Sequence, residues 1–207
     1  MGDNLLLAIG AGLIGATIGC FLIGSLSPAT WIAKAFGKNV RDAGSGNPGA
    51  TNAGRVLGVK WGVLVGVLDV LKGLVPCWFL MQTFGSTFAA VGGVFVVLGH
   101  VFSPFLRGRG GKGVATTLGV ILALSPWLGL AVVVVFAALI GLLKRVGEAS
   151  VVTAVALGGL GVLIATGAVE WARMTQAIGV CLVVLSLIVL GRHHSNIARA
   201  WDRVSGR

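Results

Sequence analysis

Residues 113–143 read GVATTLGVILALSPWLGLAVVVVFAALIGLL and lie between two basic residues, Lys112 and Lys144. The stretch holds no charged residue and is longer than the ~20 apolar residues that one helical crossing of a bilayer needs. Ser125 and Pro126 stand near its middle, where a turn between two helices is expected. Because basic residues at helix ends favour the cytoplasm, both lysines are expected on that side. The stretch is therefore predicted to cross the membrane twice, with a first helix that is short for a full crossing.

The rest of the chain has the same apolar character. Of its 207 residues 56% are hydrophobic and 11% are charged, and its mean hydropathy is +0.98. A soluble domain of this size could not bury so much apolar surface. The sequence also lacks the period-two alternation that a transmembrane barrel needs. We therefore expect an all-α integral membrane protein in which residues 1–207 form a single transmembrane domain.

The positions of the basic residues predict the number and direction of the crossings. Nearly all of the 16 Lys and Arg residues fall in four clusters, and the turns between these clusters hold only Arg173. The positive-inside rule assigns the clusters to the cytoplasm. This predicts seven transmembrane helices, with the N-terminus outside and the C-terminus cytoplasmic. Their predicted spans are 5–28, 54–80, 86–105, 113–125, 127–143, 150–168 and 174–191.

Small residues within these spans favour structural roles. Gly58, Gly62 and Gly66 form a stripe that is typical of closely packed helices, and Gly15 and Gly19 form another. The three cysteines all lie in apolar stretches, which indicates buried thiols rather than disulfides. No metal-ligand spacing occurs, so we expect neither a metal ion nor a cofactor.

The most informative polar segment is RDAGSGNPGATN at residues 41–52, followed by Arg55. Three of its glycines can adopt positive φ and turn successive N–H groups toward one anion: Gly44, Gly46 and Gly49. Four side chains add hydrogen-bond donors: Ser45, Asn47, Thr51 and Asn52. Thr51 or Asn52 can begin the next helix, whose N-terminus favours a phosphate, and Arg55 lies one turn further on. A plain turn between two helices is the alternative, but such a turn rarely needs four donors and flanking arginines.

A second polar segment, GHVFSPFLRGRGGKGVAT at residues 99–116, also combines glycines, basic residues and a helix start. It is not a Walker A loop, because Leu106 and Gly113 stand where that motif needs Gly and Ser or Thr. Gly111 and Lys112 remain well placed for a phosphate. The neighbouring arginines are interpreted as topology charges, and His100 fits either a structural or a functional role.

Polar residues elsewhere leave two interpretations open. In the segment RHHSNI at residues 192–197, His193 and Asn196 share a face if the last helix continues. They indicate either an oxyanion or proton-transfer site, or an ordinary polar stop after a span. Asp69 and Lys72 lie inside the second span, where an ion pair that fixes the helix is favoured over contact with a substrate. Ser150 is expected to be a helix N-cap.

Together these segments resemble the bacterial acyl-phosphate:glycerol-3-phosphate acyltransferases, the PlsY family. The matching motifs span nearly the whole chain in the family's order: GS at 24–25, GSGNPGATN at 44–52 with Arg55, DxxKG at 69–73, GH at 99–100, GGKGVAT at 110–116 and RHxxNI at 192–197. The chain departs from the family pattern in its tail at residues 199–205. The match around Ser150 is also loose.

The resemblance implies a seven-helix enzyme at the cytoplasmic face of the bacterial inner membrane. It would transfer a fatty acyl group from acyl phosphate to the 1-hydroxyl of sn-glycerol 3-phosphate, giving lysophosphatidic acid and inorganic phosphate. By position, the implied catalytic residues are Ser45, Arg55, Lys112, His193 and Asn196. The implied phosphate- or substrate-binding residues are Gly44, Gly46, Asn47, Gly49, Thr51, Asn52, Gly111 and Ser150.

The chemistry of such a reaction agrees with the residues. Both substrates carry phosphate, and the +10 net charge is expected to serve membrane topology and anionic partners rather than nucleic acid. No Asp lies five residues after any histidine, so the His-x4-Asp pair of other glycerolipid acyltransferases is absent. Catalysis is expected to rest on positioning and charge neutralisation, with the acyl phosphate or His193 taking the proton. We expect a working monomer. A small phosphate-ester transporter or lipid scramblase is the alternative, but no inverted repeat is evident.

Overall fold

The computed structural model describes residues 2–170 and 174–206, with backbone only for residues 2–9 and 204. Arg173, the basic residue of the predicted outer turns, lies outside the described residues. The described part of the chain forms ten α-helices, one 3₁₀ turn at Pro104–Leu106 and no strand. The helices are α1 (Gly2–Ser25), α2 (Pro28–Ala35), α3 (Ala50–Leu57), α4 (Val59–Phe84), α5 (Ser86–Val101), α6 (Val114–Leu124), α7 (Pro126–Leu143), α8 (Val146–Ala165), α9 (Gln176–Arg192) and α10 (His194–Val204).

Five helical segments within the described ranges are long and apolar enough to cross a membrane, and the bent pair of α9 and α10 is a sixth candidate. Helix α6 has only 11 residues and is the short apolar helix that the sequence predicts. It ends at Leu124, and α7 begins at Pro126. The turn predicted at Ser125–Pro126 is therefore confirmed.

Glycines allow the central helices to approach backbone to backbone. A Cβ at Gly24 of α1 would collide with the carbonyl of Val96 in α5, and one at Gly73 of α4 would collide with the carbonyl of Thr116 in α6. The predicted stripe of Gly15 and Gly19 is wrong as a contact within the described chain. A Cβ at either position would meet nothing within 4 Å, because this face of α1 lies on the outside.

The first predicted span, 5–28, does not continue as one helix. Ser27 is extended, and Pro28, which has no N–H to donate, begins the separate helix α2. The break leaves helix carbonyls without partners. Ser103 Oγ donates to the Ser25 carbonyl and Lys72 Nζ donates to the Leu26 carbonyl, both at 2.7 Å. A polar contact from α4 thus stabilises the break.

Asp69 and Lys72 form the ion pair that the sequence favours. Their side chains lie 2.9 Å apart and are nearly inaccessible to solvent. His100 Nδ1 of α5 lies 3.6 Å from the same Asp69 oxygen. The pair therefore joins α4 to α5 and, through the lysine, to the end of α1.

The second predicted span, 54–80, is also divided. Gly58 has φ 100° and ψ 156°, a conformation that favours glycine, and it separates α3 from α4. Gly58 is therefore the break between two helices and not part of the predicted packing stripe. The fold-back brings α3 onto α4, where a Cβ at Gly62 would lie 2.7 Å from Gly54 Cα. Arg55 consequently sits on a short helix that crosses the start of α4.

Two further boundaries differ from the prediction. Helix α8 begins at Val146, so Ser150 lies one turn inside the helix and is not its N-cap. The Ser150 hydroxyl donates instead to the Val146 carbonyl at 2.8 Å. The last helix does not continue through His193, because the chain bends by 65° between α9 and α10. His193 is therefore the N-cap of α10, and Asn196 lies in the first turn of that helix.

Candidate functional site

The loop before α3 is held in shape by the side chain of Asn52. This side chain is 1% exposed, accepts a hydrogen bond from Ser45 N at 2.8 Å, and donates to the Val40 carbonyl at 2.7 Å and the Ala43 carbonyl at 3.1 Å. Gly44 has φ 63°, and a Cβ there would collide with the Asn52 oxygen. Because its amide is occupied by these contacts, Asn52 shapes the loop instead of offering a free donor to a substrate.

The loop also presents Arg55 and its neighbours to a common space. Helix α3 begins at Ala50 with Gly49 as N-cap, one to two residues before the predicted start at Thr51 or Asn52. The boundary moves because Gly49 is extended and its carbonyl already accepts from the N–H groups of Asn52 and Ala53. Arg55 lies one turn later with its side chain exposed. The loop therefore places the Arg55 guanidinium and the hydroxyl-bearing residues Ser45 and Thr51 around the same cavity.

The second loop is fixed by backbone contacts around Lys112. Gly110 N donates to the Val101 carbonyl at 3.0 Å and Gly111 N donates to the His100 carbonyl at 3.1 Å. A Cβ at Gly111 would collide with the imidazole of His100. His100 therefore has a structural part in holding the loop, although its side chain also reaches the cavity described below.

Arg192 at the end of α9 holds the same loop from the other side. Its guanidinium donates to the carbonyls of Gly110 at 3.1 Å and Gly111 at 3.3 Å. Lys112, which follows Gly111 in the loop, donates through its ammonium to the side-chain oxygen of Asn196 on α10. Burial lowers the pKa of Lys112, and the positive charges of Arg199, Arg192 and Arg55 lower it further.

His193 is buried at the bend between α9 and α10. Its Nδ1 lies 2.8 Å from the Val189 carbonyl. Because a carbonyl can only accept, Nδ1 carries the proton and Nε2 is left as an acceptor. Burial has the largest effect on His193 and lowers its pKa; the Val189 hydrogen bond opposes this in part, and the charges of Lys112 and Arg192 lower the pKa further. The ring is therefore neutral at neutral pH.

Residues from both loops and from the bend between α9 and α10 line one cavity of about 940 Å³. Its polar mouth is lined by Ser45, Arg55, Lys112, Ser150, His193 and Asn196. Asn47, Gly49, Thr51 and Asn52 also line it. Gly44, Gly46 and Gly111, which the sequence predicted as substrate-binding residues, do not line the cavity. They act through the backbone, since Gly44 and Gly46 have positive φ and Gly111 packs on His100.

The cavity continues from this mouth into an apolar arm. The arm runs between α4, α6, α7 and α8, and its lining includes Val67, Leu71, Ile121, Phe136, Ile140 and Leu157. Val67 and Leu71 of this lining are exposed in the helix bundle, on a surface where lipid would lie. A mouth lined by cationic side chains and an apolar arm thus share one space, the shape that a substrate with a charged head and a hydrocarbon tail requires.

Sequence reasoning missed five charged residues that line the cavity: Lys144, Arg145, Glu148, Arg199 and Arg203. Glu148 pairs with Arg203 and lies 3.4 Å from Arg145. The spacing of Asn196, Arg199 and Arg203 by three and four residues is a signal that could have found the arginines, because it places them on one face of α10. Among the residues that the structure describes, no group of three or more His, Cys, Asp or Glu side chains is arranged to hold a metal ion.

Comparison with known proteins agrees with this geometry. Residues 14–203 match the model of the family described as glycerol-3-phosphate acyltransferase. The chain belongs to this family. The acyltransferase is 40% identical over 184 residues to a glycerol-3-phosphate acyltransferase of Listeria monocytogenes, covering 86% of this chain and 88% of the relative. It is 39% identical over 196 residues to one of Staphylococcus aureus, covering 90% and 89%.

Solved structures give the same result for the fold of the acyltransferase. A crystal structure of PlsY, an integral membrane glycerol 3-phosphate acyltransferase, in its glycerol 3-phosphate form has a TM-score of 0.83 at 34% identity, over 95% of this chain and 94% of that one. The lysophosphatidic acid form of PlsY has a TM-score of 0.80 at 35% identity. The family resemblance found in the sequence is confirmed, and the protein is an integral membrane acyltransferase.

Proposed function

We propose that this chain transfers a fatty acyl group from acyl phosphate to the 1-hydroxyl of sn-glycerol 3-phosphate, releasing lysophosphatidic acid and inorganic phosphate. The observation that carries the proposal is the single cavity in which a cationic mouth opens into an apolar arm. Two phosphate groups can share the charges of the mouth, and only the donor needs the arm. Arg55 and Lys112 hold phosphate oxygens, while Ser45 and Thr51 add hydroxyl contacts. Ser150, whose hydroxyl donates to the Val146 carbonyl, lines the wall beside them.

The reaction joins the 1-hydroxyl oxygen of glycerol 3-phosphate to the acyl carbon. The bond between that carbon and the bridging phosphate oxygen breaks, and phosphate leaves with the electron pair and takes up the hydroxyl proton. Positive side chains around the leaving phosphate stabilise its charge. Holding both substrates in one cavity supplies the orientation that an already activated donor needs. No separate cofactor is required by this balance.

We assign the proton to the departing phosphate rather than to His193. Burial, Lys112 and Arg192 all lower the pKa of His193, so an imidazolium is disfavoured where the proton would have to arrive. The neutral ring instead offers Nε2 as a hydrogen-bond acceptor that orients the attacking hydroxyl. Asn196 keeps Lys112 in position through their hydrogen bond.

The membrane arrangement in this proposal is seven crossings in one domain, residues 1–207, with the N-terminus outside and the C-terminus in the cytoplasm. Lys112 and Lys144 both line the one cavity, which supports their lying on the same side of the membrane. Helix α6 is the short member, with 11 residues and a rise of about 16 Å. We propose a monomer in the bacterial inner membrane whose site faces the cytoplasm, where its basic loops meet anionic lipid.

A donor comparison with purified protein tests the reaction. Labelled glycerol 3-phosphate is incubated with palmitoyl phosphate in one reaction and with palmitoyl-CoA in another, and lysophosphatidate and phosphate are measured. We expect equal amounts of both products from palmitoyl phosphate and no lysophosphatidate from the thioester. Absence of product from palmitoyl phosphate, in protein with an intact melting transition, would refute the proposal. Lys60→Gln protein should give the same result as wild type, because Lys60 is not among the cavity-lining residues and lies beside Trp61.

A further inference from the structure

Three buried threonine hydroxyls near the cavity lack hydrogen-bond partners among the described residues: those of Thr116, Thr117 and Thr153. Other hydroxyls in the helices behave differently. Ser25 and Ser150 each donate to a carbonyl four residues earlier, at 2.7 Å and 2.8 Å. A buried hydroxyl without a partner is unfavourable, so each of these threonines needs an explanation.

Two of the three threonines are among the residues that line the cavity. Thr117 and Thr153 line it, whereas Thr116 does not and turns its backbone toward Gly73 of α4. All three are nevertheless buried, with exposed fractions of 7% for Thr117, 8% for Thr153 and 0% for Thr116. A place in the cavity wall, and not the degree of burial, separates Thr117 and Thr153 from Thr116.

Lining residues on both helices lie about one turn before and one turn after each of the two threonines. On α6, the lining residue Gly113 precedes Thr117 by one turn and Ile121 follows it by one turn; on α8, Ser150 precedes Thr153 and Leu157 follows it. One turn of helix is about 5.4 Å. Both helices therefore place a hydroxyl between the polar mouth and the apolar arm.

We infer that Thr117 and Thr153 donate hydrogen bonds to the carbonyl oxygen of the acyl donor, an inference that rests on the proposed function. In an acyl phosphate a single oxygen separates the carbonyl carbon from phosphorus, and the hydrocarbon chain begins on the other side of that carbon. With the donor phosphate in the cationic mouth and the chain in the apolar arm, the carbonyl lies at the level of the two threonines. A carbonyl oxygen accepts hydrogen bonds but cannot donate, which suits two free hydroxyl donors.

These contacts strengthen as the reaction proceeds. Attack by the glycerol hydroxyl moves negative charge onto the carbonyl oxygen, and donors already aimed at that oxygen stabilise the charge without reorganising. In the low dielectric of a membrane cavity such donors have a larger effect than in water. Thr117 and Thr153 are therefore substrate-contacting residues of the reaction.

Valine substitutions test this role because they remove the hydroxyl and keep the branched shape. We expect Thr117→Val and Thr153→Val each to lower kcat/KM for palmitoyl phosphate by about tenfold or more, since one lost oxyanion donor elsewhere costs about 10²–10³. Thr117→Ser and Thr153→Ser keep the hydroxyl and should recover most of the loss. Thr116→Val is the matched control, with a change of less than about twofold.

Inhibition by hexadecyl phosphate separates carbonyl contact from general damage. This compound has the phosphate and the chain of the donor but no carbonyl oxygen, so its inhibition constant should be unchanged in both valine variants. Wild-type kcat/KM in these variants would overturn the inference, and so would a parallel rise in the inhibition constant. If the wild-type protein itself fails to use palmitoyl phosphate, the proposed function is refuted and the inference falls with it.

Discussion

The ammonium of Lys112 donates a hydrogen bond to the side-chain oxygen of Asn196, which lies 84 residues further along the chain. The contact joins the glycine-rich loop before α6 to the helix that follows the last span. Arg192 holds the same loop through two carbonyls. The lysine is thus placed by three separate parts of the sequence, and disturbing any of them should disturb the phosphate site.

Gly147→Ala tests this dependence without touching Lys112. A Cβ at Gly147 would collide with the side chain of Asn196, and displacement of a positioned group by about 1 Å can cost about 100-fold in rate. We expect kcat to fall by about tenfold or more while the protein still folds. Gly141→Ala is the control, since a Cβ there meets nothing within 4 Å. Equal kinetics in the two variants would show that Asn196 does not position Lys112.

The alkaline limb of the pH–activity profile should belong to Lys112. Burial, followed by Arg199, Arg192 and Arg55, lowers its pKa from 10.5, so it loses its proton at a lower pH than a free lysine. Activity that needs the ammonium is present below the lowered pKa and is lost as pH rises through it. In Lys112→Arg the guanidinium stays charged, so the limb should move to higher pH even if activity is reduced. Identical limbs in both proteins would assign the titration to another group.

His193 variants distinguish an orienting group from a general base. Loss of a general base costs about 10²–10⁴ in rate. Because the proton is assigned to the leaving phosphate, we expect His193→Ala to keep kcat within about tenfold of wild type at saturating substrates. His193→Gln, which retains a hydrogen-bonding group, should have a kcat between those of His193→Ala and wild type. A fall of more than about 100-fold in both variants would instead make the imidazole the base.

The buried ion pair of Asp69 and Lys72 should dominate local stability. Removing one member of a buried pair typically costs about 3–5 kcal/mol, because the other charge is left without a partner. We therefore expect Asp69→Asn to lower the melting temperature in detergent strongly, and the double variant with Lys72→Met to recover part of the loss. Asp202→Asn, an exposed change on α10, is the control. Unchanged melting of Asp69→Asn would show that the pair contributes little.

The sequence predicted the long apolar helices well because proline and charge mark their ends. Helix α7, for example, was predicted at 127–143 and is found at Pro126–Leu143. The breaks at Ser27 and Gly58 were not predicted, although Pro28 and Gly58 are residues of the kind at which helices often end. Tertiary contacts stabilise both breaks. Lys72 and Ser103 donate to carbonyls at the break after α1, and α3 packs onto α4 at the break at Gly58.

The polar segments of the site were predicted, but not the task of each residue. Arg192 and Arg199 follow an apolar helix, where a topology charge and a site residue look the same in sequence. Asn52 looked like a donor for substrate, yet its amide is taken up by three loop contacts. Such assignments depend on which groups face each other across the chain, and local pattern does not contain that information.

The central claim is that Arg55 and Lys112, from loops far apart in sequence, hold phosphate in one cavity. Titration of glycerol 3-phosphate into Arg55→Gln, Lys112→Gln and Lys60→Gln proteins tests it most directly. The account predicts a dissociation constant raised about tenfold or more in the first two variants, and one within about twofold of wild type in the third. Unaltered affinity in folded Arg55→Gln and Lys112→Gln proteins would contradict it.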